Sequence, residues 1–135
     1  MQLAPRDARV RNDLGTALLG AADPARAIPH LEAAVAADPR RATYRSNLGY
    51  AYHLKGDTSR AMALYREALK LDDKLSSAWI NLGNLLAQTG SRKEAREAYE
   101  KAKAIDPSDP RVKAVIQELD AIERGGADAG APKKP

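Results

Sequence analysis

Two histidines, His30 and His53, are the side chains of this 135-residue chain best suited to proton transfer or metal ligation. They fall in different stretches, and neither has a carboxylate or a second histidine at ligand spacing, so neither a metal centre nor a serine–histidine pair is indicated. Cysteine is absent, which removes disulfides, thiolate metal sites and thiol nucleophiles together. The carboxylate pair Asp72-Asp73 closes a helical pattern and has the setting of a solvated loop. Gly125-Gly126 lacks the Lys-Ser/Thr that must follow the glycines of a phosphate-binding loop. The expected catalytic, cofactor-binding and metal residues are therefore none, and the chain reads as a non-enzyme.

The elements that would carry any site are helices. Ala, Leu, Glu, Lys and Arg dominate, Phe is absent, and β-branched residues never alternate with polar ones over a strand's length. The length is that of one domain, and no apolar run reaches the roughly 18 residues of a membrane span. A net charge of +4, with basic and acidic residues interspersed, makes nucleic acid a poor partner. Without a leader-like stretch after Met1, the expected compartment is the cytoplasm.

A fixed period organises the chain. Asn12-Asp13-Leu14-Gly15, Ser46-Asn47-Leu48-Gly49 and Ile80-Asn81-Leu82-Gly83 recur every 34 residues, and Ala27, Ala61, Ala95 and Leu31, Tyr65, Tyr99 keep the same step. Ala61, Leu64, Tyr65, Ala68 and Leu69 form one apolar helical face. Gly49 and Ala61 are small where two antiparallel helices must approach, with Tyr52 and Tyr65 filling the space around them. Gly56 before Asp57, and Gly90 before Ser91 with Glu94, predict a left-handed helix end followed by a capped helix start. In the first unit Asp23 and Pro24 suit a helix start, but Ala22 stands where glycine is wanted. That turn is expected to be strained, with Gly20 compensating.

The third unit reads Trp79-x2-Leu82-Gly83-x2-Leu86, then Ala95-x3-Tyr99-x2-Ala102-x4-Pro107, and is similar to the tetratricopeptide repeat consensus. Three in-phase copies resemble that family: residues 8–41, 42–75 and 76–109. Arg11 and Arg45 replace its Trp, Leu18 and Leu86 its Tyr, and Asp73 its Pro; Val10 and Tyr44 are expected to cover the surface of the missing Trp residues. Residues 110–124, with Val112, Val115, Ile116, Leu119 and Ile122 on one face, read as a capping helix. Residues 125–135 read as a disordered tail. Leu3 and Pro5 place residues 1–7 as a lead-in left from a preceding repeat, which leaves the first face open. The chain is thus expected to be a piece of a longer array, or one that stacks its open end on a partner. The implied fold is an all-α, right-handed superhelical solenoid of about seven helices in antiparallel pairs.

The resemblance implies a concave groove lined by the first helix of each unit, binding a protein or peptide without a cofactor. Its candidate residues here are Arg9, Asn12, Asp13 and Thr16; Ser46, Asn47, Tyr50 and His53; Asn81, Asn84 and Gln88; and Arg111 at the far end. Asn47 and Asn81 stand directly before the core Leu, where the family uses an asparagine ladder to hold a peptide backbone; Asp13 interrupts it. An asparagine offers two donors and an acceptor, so it grips an extended backbone without reading its sequence. The lysines and arginine of the family's chaperone-tail clamp are missing: Asn12, Thr16, Asn47, Ser77 and Asn81 hold those sites. Three functions follow: an interaction module or adaptor binding in the groove, which is favoured; a scaffold forming homo-oligomers through its open N-terminal face; and a regulatory part of an enzyme outside this chain.

Overall fold

The computed structural model describes the backbone of residues 5–130 and the side chains of residues 7–125. Seven helices occupy the described residues: α1 (Pro5–Gly20), α2 (Pro24–Ala37), α3 (Ala42–Lys55), α4 (Thr58–Leu71), α5 (Ser76–Gln88), α6 (Arg92–Ile105) and α7 (Pro110–Gly130). Helices α1/α2, α3/α4 and α5/α6 form antiparallel pairs, each stacked on the next in a right-handed solenoid, as the repeat pattern implies. The first helices also touch one another, α1 on α3 and α3 on α5, and so make one continuous wall.

Each pair closes around a glycine. A Cβ built at Gly83 would lie 2.6 Å from the Tyr99 ring, and one at Gly49 would lie 2.8 Å from that of Tyr65. The backbones approach to a distance that only a hydrogen at that position allows. Ala27, Ala61 and Ala95 are fully buried on the facing helices, and Tyr65 and Tyr99 fill the volume between. Tyr52 ties three helices: its hydroxyl donates to Glu32 of α2 at 3.1 Å, and Arg60 of α4 lies 5.3 Å from its ring centre.

The helix ends follow local chemistry in most places. Asp23 and Asp57 each accept from the backbone N–H three residues on, at 3.2 Å. Gly56 and Gly90 adopt φ of +93° and +90°. Ala22, at the equivalent site, is held at φ +59°, a left-handed conformation that its Cβ disfavours. The expected strain is therefore real, but Gly20 does not relieve it, since it is the last residue of α1.

Four further expectations are corrected. Ser91 makes no side-chain capping bond, and Glu94 is drawn toward Arg66 of α4 at 4.0 Å instead of closing a capping box. The capping helix does not stop at Arg124 but continues to Gly130, because each added residue contributes a further backbone bond and no proline intervenes before Pro132. Residues 131–135 of the expected tail lie outside the described residues. At the other end Pro5 opens α1, where proline needs no donor and Asp7 favours the first turn, so residues 5–7 belong to the first helix. Leu3 lies outside the described residues. Finally, Val10 does not cover the place of the missing Trp: it is 59% exposed, and Leu14 is 45% exposed where Leu48 and Leu82 are 6%. Helices α3 and α5, which carry those two leucines, pack on α2 and α4, whereas no described helix precedes α1 to cover Leu14.

Tyr44 is buried with Ala8 and Ala34, as its position suggested. Arg45 also takes over the polar role of the Trp it replaces: it donates to the carbonyl of Pro39 just as Trp79 Nε1 donates at 2.8 Å to that of Asp73, each six residues back. At the C-terminal end Arg96 of α6 fastens α7 through Asp120 at 2.7 Å and Glu123 at 3.0 Å. These bonds, that to Glu123 first, raise the guanidinium's already high pKa.

Candidate functional site

The wall formed by α1, α3 and α5 continues onto the inner side of α7, and polar side chains repeat along it. Asn47 Nδ2 donates to Asn12 Oδ1 at 2.9 Å, joining α3 to α1. His53 Nε2–H donates to Gln88 Oε1 at 2.7 Å, joining α3 to α5. Both links span 35 residues, one repeat plus one position, so the helical repeat itself sets them in register.

The candidate residues are not equally available. Asn12 is only 8% exposed and is bonded to Asn47 between α1 and α3, and Ser46 is only 2% exposed, so neither is open to a partner. Thr16 is half-buried and donates to the carbonyl of Asp13 in its own helix at 2.9 Å. Arg9 and Asp13 are exposed. Arg111 is bound at 2.8 Å by Asp109, whose carboxyl this guanidinium holds below its usual range. The middle of the wall carries the accessible set: half-buried Asn47 and Asn81, exposed Asn84 and Gln88, and Tyr50, whose ring meets His53 edge-on at 6.2 Å between centres.

Beneath this wall two tyrosines differ. Tyr99 donates its hydroxyl to Asn84 Oδ1 at 2.6 Å. Tyr65, one repeat earlier, finds Tyr50 where Asn84 would be, and its buried hydroxyl has no partner. Burial, and then the proximity of Tyr50, drives the Tyr65 hydroxyl far above its usual pKa. Burial, followed by the charge of Glu118, pushes Tyr99 up to about 12. His53 Nδ1 is likewise buried and unpartnered.

The wall ends in a cleft of about 220 Å³ between α5 and α7, floored by Tyr99 and Leu119 and walled by Ala87, Val115 and Ile122, with Asn84 and Glu118 at its rim. The sequence pattern places Val115 and Ile122 on the apolar face of the capping helix and gives Glu118 no site role. The signal was present, since Arg111, Val115, Glu118 and Ile122 stand 34 residues after Ser77, Asn81, Asn84 and Gln88. Among the described residues no cluster of three or more His, Cys, Asp or Glu could hold a metal ion. No helix there is long and apolar enough to cross a membrane.

Comparison with known proteins bears on this arrangement directly. Two tetratricopeptide repeat profiles match the sequence, over residues 12–76 and 52–119. No curated protein matches. Among solved structures, the Sgt2 TPR domain from Aspergillus fumigatus superposes with a TM-score of 0.84 at 23% identity, covering 95% of this chain and 86% of that one. The first TPR of Spaghetti (RPAP3), bound to the HSP90 peptide SRMEEVD, gives 0.84 at 17% identity, covering 90% and 99%. MamA gives 0.77 at 26% identity, covering 90% and 70%.

Proposed function

The chain belongs to the tetratricopeptide repeat family, and from that membership we propose that it is a non-enzymatic interaction module that binds an extended segment of a protein partner along the α1–α3–α5 wall. The observation that carries this reading is the pair Asn47 and Asn81, half-buried at the same place in successive repeats. Asn47 spends one N–H on Asn12 and retains its oxygen and a second N–H, enough to meet both groups of a passing peptide unit. A partly desolvated amide in a concave wall gains more from such a bond than a fully hydrated one. That the first TPR of Spaghetti (RPAP3), similar in fold, is bound to a peptide supports a peptide-binding role.

The test is a pull-down with the full chain. Asn47→Ala and Asn81→Ala should each weaken a captured partner by about 1–3 kcal/mol, because a desolvated group on the partner is left unpaired. Lys70→Ala and Lys101→Ala, exposed on second helices, should leave affinity unchanged. The opposite outcome, with the lysines required and the asparagines dispensable, removes the wall as the binding site.

A second reading, self-association through α1, draws on the exposure of Val10 and Leu14. It predicts a concentration-dependent rise in mass by light scattering that Leu14→Glu abolishes. A strict monomer at high concentration discards it.

A further inference from the structure

We propose that the cleft between α5 and α7 selects a partner segment in which an aliphatic side chain stands next to a basic one. This rests on the wall being a binding surface and adds the chemistry of what it binds. At about 220 Å³ the cleft is smaller than the roughly 300–1,000 Å³ of small-molecule pockets and suits one or two side chains. Its walls are aliphatic: Leu119 is buried, Ala87 and Val115 are half-buried, and Ile122 is 36% exposed at the mouth. An aliphatic side chain entering there removes apolar surface from water on both sides.

The rim fixes the neighbour. Glu118 is exposed, and while Asp120 and Glu123 on the same helix are held by Arg96, Glu118 pairs with no cation among the described residues. Its charge reaches the Tyr99 hydroxyl on the cleft floor, so it acts on whatever fills the cleft. Asn84 turns its oxygen to Tyr99, which directs its two N–H donors to another acceptor such as a backbone carbonyl. No lysine or arginine lines the middle of the wall, where Asn47, Tyr50, Asn81 and Asn84 stand, and Arg111 is already held by Asp109. An acidic segment crossing this rim meets Glu118 with nothing to neutralise either charge. A lysine or arginine meets a carboxylate that is free to pair.

The experiment titrates the full, isotope-labelled chain with three blocked hexapeptides of alanine carrying Leu-Lys, Leu-Glu or Ala-Lys at the centre, read by amide chemical shifts. The Leu-Lys peptide should shift Ala87, Leu119 and Ile122. It should bind about fivefold more tightly than Leu-Glu, the scale of one exposed charge contact, and about tenfold more tightly than Ala-Lys, the scale of a buried aliphatic side chain. Glu118→Gln should abolish the Lys-over-Glu preference, and Ala87→Leu, which fills the cleft, should abolish the Leu-over-Ala preference. Equal affinity for Leu-Glu, shifts confined to other parts of the wall, or no shift at millimolar peptide overturns the proposal. Failure of the asparagine reading looks different: Asn47→Ala and Asn81→Ala would then leave affinity for every peptide unchanged while the side-chain preferences persist.

Discussion

Replacing Tyr65 by Phe should stabilise the protein, whereas the same change at Tyr99 should destabilise it. The two residues stand 34 positions apart, are 0% and 2% exposed, and press on Gly49 and Gly83 in the same way. They differ in one bond. Removing the Tyr65 hydroxyl relieves a buried donor without a partner, for which the penalty is about 1–3 kcal/mol, and Phe keeps the ring volume, so no cavity opens. Some of that gain is offset by loss of the oxygen's packing, leaving about 1 kcal/mol of stabilisation. Removing the Tyr99 hydroxyl forfeits the 2.6 Å bond to Asn84, whose exposed amide can turn to water, so the cost is about 0.5–1.5 kcal/mol. The two variants should thus differ by about 2 kcal/mol. Urea titration followed by circular dichroism and by Trp79 fluorescence resolves that difference, and each kcal/mol should move Tm by about 3–5 °C for a chain of this size. Tyr50→Asn, which puts at position 50 the acceptor that Asn84 supplies to Tyr99, should lose its benefit in the Tyr65→Phe background. A Tyr65→Phe protein less stable than the parent by 1 kcal/mol or more would refute the reasoning, since the hydroxyl would then have a partner.

Ala22→Gly should raise stability by about 0.5–1 kcal/mol, the net of a left-handed penalty of about 1–2 kcal/mol and the greater freedom of glycine in the unfolded chain, measured by thermal denaturation. Arg96→Ala should release α7 first, so its amides lose hydrogen-exchange protection while those of α3 and α4 keep theirs. Tyr99, raised from 10 to about 12, favours the folded state fully below pH 10 and loses that contribution as pH rises toward 12. Alkaline unfolding by circular dichroism should therefore fall in that window and be shallower in Tyr99→Phe.

The period, the helix pairing and most of the helix ends are legible in the order of residues, because these depend on contacts within one repeat or one turn. The recurrence of Leu48-Gly49 and Leu82-Gly83 before Tyr65 and Tyr99 states which backbones approach, and Asp23, Asp57, Gly56 and Gly90 act through bonds a few residues long. Membership of the repeat family follows from the same short-range pattern. Tertiary structure decided what depends on a neighbouring repeat. Leu14 has the sequence context of a core residue and is exposed because no helix among the described residues lies against it; Asn12 and Ser46 have that of groove residues and are buried, Asn12 in a bond to Asn47 that joins α1 to α3. Glu94 answers Arg66 across a helix boundary rather than its own cap. Whether a tyrosine hydroxyl is satisfied turns on the residue across the pair, asparagine at 84 and tyrosine at 50, and the α5–α7 cleft arises where two helices diverge. Local propensity acts along the chain, but a cavity or an orphaned donor is a property of side chains brought together from separate repeats, and only the packed solenoid settles which atoms meet.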